Sequence, residues 1–300
     1  MSSIKIIKPG TQTTIQDKGR YGFQSCGMVV SGVMDSFSHR VANLLVGNSF
    51  FEAVFEVCLS GLELEFQGIC VIAITGANIS PSLNGLTVPM WKSFLVKSNN
   101  NLSFGRVISG CRSYIAFAGG LEVPSVLGSK SSYAKANIGM QLTAETIIEV
   151  KTPKEFSKLA SRILPPAFIP IYKNEIALRV VIGSHKDYFT EDGIKKFFSS
   201  EYTVTKDCDR MGCRLEGEAI VPIDSNIISD SITYGSIQIP QNGQPIIMCA
   251  DRQTTGGYPK IATVITADLP LLAQAKPGNK ISFSSISVSE AQQILRNSKY

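Results

Sequence analysis

The segment Gly235–Lys260 contains the densest group of side chains suited to chemistry in this 300-residue sequence. An apolar run ends there in Asp251, Arg252, two threonines, two glycines and Tyr258. Polar side chains at a strand end beside Gly-Gly are typical of ligand-binding loops. Asp251 could act as a base, Arg252 as an anion clamp, and the hydroxyl and N–H groups as an anion nest. Alternatively, Asp251 and Arg252 pair structurally and the glycines only bend the strand.

A second candidate is a helix within Ser31–Asn48. If the helix begins near Asp35, then Asp35, His39 and Asn43 share one face, with Arg40 beside them, opposite an apolar stripe. Together these groups could orient a small polar substrate. The alternative, with about equal weight, is that Asp35 is only the N-cap of the helix and the others form an ordinary solvated face.

Other motifs are weak or absent. The run Gly128–Ser132 (GSKSS) offers hydroxyls and an amine for an anion, but the spacing of a P-loop occurs nowhere. Neither a dinucleotide-binding glycine fingerprint nor a Gly-x-Ser-x-Gly elbow is present in the sequence. The two histidines, His39 and His185, are far apart, so no zinc signature can be written and we expect no metal site. We interpret His185 as an exposed loop residue.

The elements that must position these residues are mostly strands, because the apolar runs are short, rich in Val, Ile and Phe, and bounded by turn residues. Asn84-Gly85 and Asn242-Gly243 are hairpin signals. The clearest predicted strands are Cys70–Thr75, Tyr114–Ala118, Ile176–Ile182, Ile246–Ala250 and Ile261–Thr266. The predicted helices are Asp35–Val46, capped by Gly47, and Lys154–Arg162, Thr190–Ser199 and Glu290–Arg296.

Composition indicates a globular protein, since 44% of residues are hydrophobic and 18% charged. The net charge of +5 comes from scattered basic residues, which argues against a nucleic-acid partner. No apolar run approaches the roughly 18 residues of a membrane span, and the N-terminus lacks a signal peptide, so we expect a cytoplasmic protein. The seven cysteines include no Cys-x-x-Cys pair, and we interpret them as reduced core residues.

An internal repeat divides the chain. The pattern formed by Asp17, Arg20, Gly22 and Gly27 recurs with identical spacing from Asp207 onwards. Aspartate, arginine and glycine are residues that a tight turn demands, so a duplicated β unit is the better interpretation. A proline-rich stretch lies between the copies. We therefore predict two halves, residues 1–160 and 161–300, with an uncertain boundary that strand exchange could blur.

Six longer motifs occur along the chain, at Pro9–Gly22, Ser31–Asp35, Arg40–Asn48, Arg210–Gly217, Gly235–Pro245 and Asp251–Pro259. In this order they span nearly the whole chain and resemble the allophanate hydrolase subunit 2 family, of the carboxyltransferase domain type with subdomains C and D. The resemblance implies a mainly β fold with a few helices, arranged as two tandem cyclophilin-like β-barrel domains.

The resemblance implies that the chain works as part of a larger complex. Chains of this length are similar to the C subunit of an ATP-dependent 5-oxoprolinase, which opens 5-oxo-L-proline to L-glutamate together with the A and B subunits. The alternatives are half of a biotin-dependent carboxyltransferase that acts on urea, and a non-enzymatic antagonist that binds a kinase-inhibitor-like sister subunit. Three hundred residues fit two barrels and leave no room for a biotin carrier or an ATP-binding domain, so we expect a partner to activate the substrate. With no nucleotide motif, the sequence leaves open whether ATP contacts this chain.

The site expected from the motifs and the resemblance lies in a pocket shared with the B subunit. We expect Asp251 to orient the amide, Arg252 or Arg40 to hold the substrate carboxylate or a phosphate, and Asp35 to assist catalysis. The substrate-binding residues expected are Arg40, Asn43, Gln238, Asn242, Thr254, Thr255, Gly256, Gly257 and Tyr258.

Overall fold

The computed structural model describes residues 2–151, 153 and 155–298. Contacts between Cα atoms separate the chain into two compact units. Unit 1 comprises Met1–Arg20 and Ser31–Tyr172, and unit 2 comprises Tyr21–Val30 and Lys173–Tyr300. The units thus interleave, because a ten-residue segment near the N-terminus belongs to the second unit. The boundary that we placed between the two halves of the sequence, at residues 160 and 161, stays a prediction.

Unit 1 consists of two antiparallel sheets and one helix. One sheet has seven strands in the order β11-β12-β1-β4-β9-β6-β7, and the other has five in the order β2-β3-β10-β5-β8. The strands are β1 Ser2–Pro9, β2 Gln12–Gln16, β3 Val54–Cys58, β4 Leu62–Gln67, β5 Cys70–Asn78, β6 Pro81–Leu83, β7 Leu86–Thr87, β8 Lys92–Val96, β9 Asn101–Phe104, β10 Ser109–Phe117, β11 Leu121–Glu122 and β12 Ile147–Val150, and the helix α1 is Ser36–Leu45.

Strand β5 explains how the helix is held, because it is buried on both faces. Its Ile72 and Ile74 join the core between the sheets. The alternate residues Val71 and Ala73 face a second cluster that includes residues of α1. Since side chains alternate across a strand, one continuous apolar run supports both layers. The helix ends as expected, with Gly47 in the left-handed region at φ +74°.

Unit 2 is a closed seven-stranded barrel in the order β13-β20-β17-β18-β15-β14-β21, with a separate two-stranded ribbon of β16 and β19. Strands β13 and β21 pair in parallel and close the barrel. The strands are β13 Glu175–Ile182, β14 Tyr202–Val204, β15 Gly212–Glu216, β16 Asp230–Ser231, β17 Ser236–Gln238, β18 Ile246–Met248, β19 Thr255–Gly256, β20 Lys260–Val264 and β21 Lys280–Ser285, and the helices are α2 Glu191–Ser199, α3 Leu269–Ala273 and α4 Val288–Asn297.

The predicted mainly β fold with a few helices is confirmed, and each strand predicted from an apolar run is present. Asn84-Gly85 forms a two-residue hairpin loop between β6 and β7, with Leu83 opposite Leu86. Both loop residues have positive φ, as a type I′ turn requires. Three predicted helices are confirmed as α1, α2 and α4. In the described part of the chain, no helix is long and apolar enough to span a membrane.

The predicted helix Lys154–Arg162 is wrong. Lys154 lies outside the described residues, and the rest contains only a 3-10 turn, Phe156–Leu159. The backbone beyond this turn pairs with strand β8 instead. Ser161 N–H donates to the carbonyl oxygen of Ser93 at 2.9 Å, and Ser93 N–H donates to Arg162 O at 2.8 Å. Because these groups serve the sheet edge, they cannot continue a helix.

Candidate functional site

An open groove of about 560 Å³ crosses unit 2 beside strand β15 and the loop between β17 and β18. A neighbouring hollow of about 500 Å³ shares three lining residues with it, Pro240, Asn242 and Tyr258. Of the predicted site residues, the groove brings together Asn242 and Tyr258. The chemically active side chains that line the groove are Asp207, Arg214, Glu216, Asn242, Gln244 and Tyr258.

Hydrogen bonds hold in place the loop that carries the carboxamides of Asn242 and Gln244. The side chain of Gln244 accepts from Gly217 N–H at 2.9 Å and donates to Gly217 O at 3.2 Å. Asn242 Oδ1 accepts from the N–H of Gln244 at 3.1 Å. Gly243 has φ +74°, and a Cβ there would lie 2.9 Å from the backbone of Ile220. Only glycine fits this turn without strain, so the motif positions Asn242 at the groove.

Arg214 supplies the positive charge of the groove. Its side chain is exposed, and among the described residues it makes no ion pair. Two carboxylates, those of Asp207 and Glu216, line the same groove. A guanidinium binds a carboxylate through two parallel hydrogen bonds, and carboxamides both donate to and accept from an amide. The groove therefore offers a ligand one guanidinium, two carboxylates and two carboxamides.

Asp251 is engaged inside unit 2. It is 7% exposed, and its two carboxylate oxygens accept from Nε and Nη2 of Arg210, both at 3.0 Å. Its own N–H donates to the carbonyl oxygen of Arg210 at 2.7 Å. The sequence alternative paired Asp251 with Arg252, whereas the partner is Arg210. The catalytic role expected for Asp251 stays a prediction.

Arg252 is held by backbone carbonyl groups. Its Nε donates to Ile232 O at 3.1 Å, and its Nη1 donates to Cys249 O at 3.2 Å. The guanidinium carbon lies 5.9 Å from the ring centroid of Tyr234. Burial lowers the pKa of Arg252, against the opposing effect of nearby tyrosines and other groups. The expected anion clamp is thus oriented by the fold, and its role stays a prediction.

The predicted nest between Arg252 and Tyr258 is a strand pairing. Thr255 and Gly256 form β19, which pairs with β16. The carbonyl oxygens of Thr254 and Gly257 accept backbone hydrogen bonds from Ile232 and Ile227. A Cβ on Gly256 would lie 2.6 Å from the side chain of Ile232 and 3.0 Å from Gln238 Nε2, so this glycine permits close packing. Buried Gln238 supports the segment by donating to Tyr258 O at 3.3 Å.

The predicted polar face of α1 lies in unit 1 and is buried, so the solvated-face alternative is wrong. Asp35 caps the helix and accepts from Ser38 N–H at 2.9 Å. His39 Nε2 and Asn43 Nδ2 both donate to the carbonyl oxygen of Glu52, at 2.8 and 2.9 Å. Burial lowers the pKa of His39, so its ring is neutral near pH 7. Buried polar groups need such partners, and backbone groups of Ser38 and Glu52 supply them here.

Arg40, the other expected anion-binding residue of α1, is half-buried, with its guanidinium carbon 5.8 Å from the ring centroid of Phe51. Arg40, Asp35 and Asn43 belong to unit 1, whereas the loop of Asp251 belongs to unit 2. That the two groups face one pocket stays a prediction.

The GSKSS loop encloses an anion of the protein itself, the carboxylate of Asp17. The hydroxyls of Ser129 and Ser131 donate to it at 2.6 and 2.7 Å. The backbone N–H groups of Lys130 and Gly19 donate at 2.7 and 2.8 Å. Burial raises the pKa of Asp17, but these four hydrogen bonds outweigh it and lower the pKa below its ordinary value.

Other expectations are corrected by local packing. His185 is no exposed loop residue, because only 17% of its side chain is exposed and Nδ1 accepts from Lys260 N–H at 3.2 Å. The cysteines are all thiols, as expected, but Cys26 is exposed and Cys208 is partly exposed rather than buried in the core. In the repeat, Asp17 is buried whereas Asp207 is exposed. The two copies therefore place this aspartate in different surroundings.

Sequence reasoning missed Arg214 and Gln244 as groove residues and Arg210 as the partner of Asp251. All three lie in the motifs that carry the family resemblance. One signal was available for Arg214, because it stands between two apolar residues in the alternation typical of a strand with one exposed face. The partnership of Arg210 depends on a tertiary contact that motif spacing does not encode.

Comparisons with known proteins agree with these motifs. Residues 26–285 match the family model of the carboxyltransferase domain, subdomain A and B. The expected carboxyltransferase family is therefore confirmed, but the expected subdomains C and D are wrong and are replaced by A and B. The chain is 36% identical over 290 residues to the C subunit of 5-oxoprolinase from Escherichia coli, with 96% of this chain and 93% of that protein covered. It is 32% identical to urea amidolyase of Saccharomyces cerevisiae, covering 98% of this chain but only 17% of that protein.

A solved structure shows a similar fold. The crystal structure of urea carboxylase from Kluyveromyces lactis superposes with a TM-score of 0.90 at 30% identity. The alignment covers 98% of this chain and 28% of the larger protein. The chain therefore corresponds to one region of that enzyme.

Proposed function

The chain belongs to the carboxyltransferase domain family, subdomain A and B, and we propose that it acts as the C subunit of an ATP-dependent 5-oxoprolinase. In this proposal it opens 5-oxo-L-proline to L-glutamate together with the A and B subunits and is active only within that complex. The supporting observation is the correspondence over 96% of this chain and 93% of the 5-oxoprolinase C subunit of Escherichia coli. Relatives named urea amidolyase match with only 17% of their length.

The groove of unit 2 supports a substrate of this class. 5-Oxoproline carries one carboxylate and one lactam amide. In the proposal, exposed Arg214 holds the carboxylate, and Asn242, positioned by the Gln244 loop, hydrogen-bonds the lactam. Arg252, oriented by carbonyl oxygens, remains a second candidate for an anionic group.

ATP is assigned to the partner subunits in this proposal. The chain offered one phosphate-loop candidate, the GSKSS run, and its hydroxyl and N–H donors are occupied by the carboxylate of Asp17. A phosphate there would meet a buried negative charge, so these residues do not fit the nucleotide. No step of the ATP chemistry is therefore placed on this chain.

The test is reconstitution. The chain is purified alone and with its cognate A and B subunits, and glutamate release from 5-oxo-L-proline is measured with and without ATP. We expect ATP-dependent release from the assembled complex and none from the chain alone. If the three subunits assemble but release no glutamate at any ATP concentration tested, the proposal is wrong.

Carboxyl transfer from biotin is the second candidate, supported by the TM-score of 0.90 with urea carboxylase. It predicts that a biotinylated protein co-purifies with the chain, and streptavidin blotting of the purified complex detects this. Carboxylation of urea by that complex, together with absence of 5-oxoproline turnover, would favour the second candidate over the first.

A further inference from the structure

Two cysteines face each other in the Thr205–Arg214 hairpin, which joins β14 to β15. The sulfur atoms of Cys208 and Cys213 are 3.6 Å apart. Backbone hydrogen bonds flank the pair on both sides. The N–H of the first hairpin residue donates to the carbonyl oxygen of the last at 3.0 Å, and Asp209 N–H donates to Gly212 O at 3.2 Å. The hairpin therefore holds the two thiols at facing positions.

The surroundings of Cys208 favour a reactive thiolate. The N–H of Arg214 donates to its sulfur at 3.1 Å. The pKa of Cys208 is lowered to about 7, and the hydrogen bond with the Cys213 thiol is the largest cause. Burial raises this pKa, but the hydrogen bonds with Cys213, Arg214 and Thr205 together lower it more. The titratable group that faces Cys208 is Cys213. Cys208 is partly exposed, so a small reagent can reach it.

A second pair of thiols in unit 1 has nearly the same sulfur separation but different surroundings. Cys58 on β3 and Cys111 on β10 have sulfur atoms 3.7 Å apart. Both are buried, at 9% and 4% exposure. The hydrogen bond with Cys111 and burial raise the pKa of Cys58 well above its ordinary value. Both sulfurs of this pair are buried whereas Cys208 is partly exposed, so a reagent reaches this pair less readily and it serves as an internal control.

We propose that Cys208 and Cys213 form a thiol–disulfide exchange site, at which a small disulfide such as glutathione disulfide oxidises them to an intramolecular disulfide. The Cys208 thiolate attacks one sulfur of the small disulfide, forms a mixed disulfide and releases one thiolate. The Cys213 thiol then loses its proton, attacks the sulfur of Cys208 and releases the second thiolate. The two protein thiols lose two electrons, and the small disulfide gains them.

Oxidation reaches the groove through Arg214. In the reduced protein, the sulfur of Cys208 contacts both the N–H and the carbonyl oxygen of Arg214, at 3.1 and 3.4 Å. A disulfide brings the sulfurs from 3.6 Å to about 2.0 Å, so the sulfur of Cys208 moves relative to both groups. In the proposal, oxidation thereby changes the contacts of Arg214, which lines the groove. This site does not depend on the proposed function, because the exchange chemistry needs no substrate of the groove.

The experiment uses the full chain with Cys26→Ser, which removes an exposed thiol. The protein is equilibrated with glutathione and glutathione disulfide at graded ratios, unreacted thiols are alkylated, and each cysteine is assigned by peptide mass spectrometry. We expect Cys208 and Cys213 to lose their thiols together as one linked peptide. Cys58 and Cys111 are expected to remain fully alkylatable after denaturation.

A resolving-cysteine variant tests the order of the steps. With Cys213→Ser, glutathione is expected to accumulate on Cys208 as a stable mixed disulfide. With Cys208→Ser, the buried Cys213 is expected to stay reduced. Near pH 7, Cys208 is expected to react with iodoacetamide about threefold faster than an ordinary cysteine, because its larger thiolate fraction is partly offset by lower nucleophilicity. Cys213→Ala, which removes the hydrogen bond to Cys208, should move the midpoint of this pH profile upward.

Two results would overturn the proposal. One is full alkylation of both cysteines after equilibration with glutathione disulfide alone, in protein that a thermal melt shows to be folded. The other is a mixed disulfide on Cys208 that persists although Cys213 is present, because the second step would then not occur.

Discussion

Asp17 in unit 1 and Asp251 in unit 2 are both 7% exposed, yet the fold neutralises their charges differently. Asp17 accepts from two serine hydroxyls and two backbone N–H groups. Asp251 accepts two hydrogen bonds from one guanidinium, that of Arg210. One carboxylate is held by neutral donors and the other by a buried opposite charge.

The exposed charge of the groove differs from the buried charges of both aspartates. Asp251 lies in a glycine-rich motif that suggested a site, and Asp17 lies in the repeat that suggested a tight turn. The carboxylates of both accept hydrogen bonds inside their own units. The groove of unit 2 instead exposes Arg214 with no ion pair among the described residues. An exposed charge without an ion pair among the described residues is open to a ligand, and the catalytic role expected for Asp251 stays a prediction.

The largest effect is expected from Arg210→Met. The change leaves the carboxylate of Asp251 buried without its guanidinium, and breaking such a pair costs about 3–5 kcal/mol of unfolding free energy. Urea unfolding followed by circular dichroism measures the loss. The matched control is Arg214→Met, which removes an exposed arginine of the same barrel and should change stability by less than about 0.5 kcal/mol. Equal losses for the two variants would contradict the buried pairing.

A smaller loss is expected from Ser131→Ala. This change removes a hydrogen bond to the charged Asp17, and such bonds contribute about 1.5–3 kcal/mol. The control is Ser82→Ala, where the hydroxyl is hydrogen-bonded, among the described residues, to neutral Ser103 and contributes about 1 kcal/mol. Chemical denaturation of both variants measures the difference. A Ser131→Ala loss no larger than that of the control would mean that neutral donors do not stabilise Asp17.

The stabilising effect of Asp17 should depend on pH. Its pKa is lower in the folded protein than the ordinary value of 3.8, so its ionised form is stabilised by folding. The contribution is fully present well above the unfolded pKa of 3.8 and is lost progressively as the pH falls past that value and through the lower folded pKa. Unfolding of the wild type and of Asp17→Asn is compared from pH 7 downward. We expect the stability gap to narrow only below about pH 5, and a gap that widens toward acid pH would have the wrong sign.

Local features were predictable from the sequence, and long-range ones were not. The Asn84-Gly85 hairpin and the capped helix α1 follow from residues adjacent in sequence. The Arg210–Asp251 pair joins residues 41 positions apart, and no local pattern encodes it. The predicted helix Lys154–Arg162 failed for the same reason, because pairing with Ser93 on a distant strand takes its backbone groups.

The candidate site divides in the same way. Sequence motifs singled out Asn242 and Tyr258, which line the groove, and their role in binding stays a prediction. They did not separate Arg214, which is exposed, from Arg210, which is buried, although one motif carries both. Arg214 lies on β15, where side chains alternate between the two faces of the barrel wall. Arg210 lies before that strand and is buried against Asp251, 41 positions away.

The most direct test of the central claim, that substrate recognition uses the exposed groove, is kcat/KM for 5-oxo-L-proline in the assembled complex of Arg214→Ala. Loss of a charge-assisted bond of about 1.5–3 kcal/mol predicts a decrease of about 10- to 100-fold, with stability unchanged and partial recovery in Arg214→Lys. An unchanged kcat/KM in the folded, assembled Arg214→Ala complex would contradict the account.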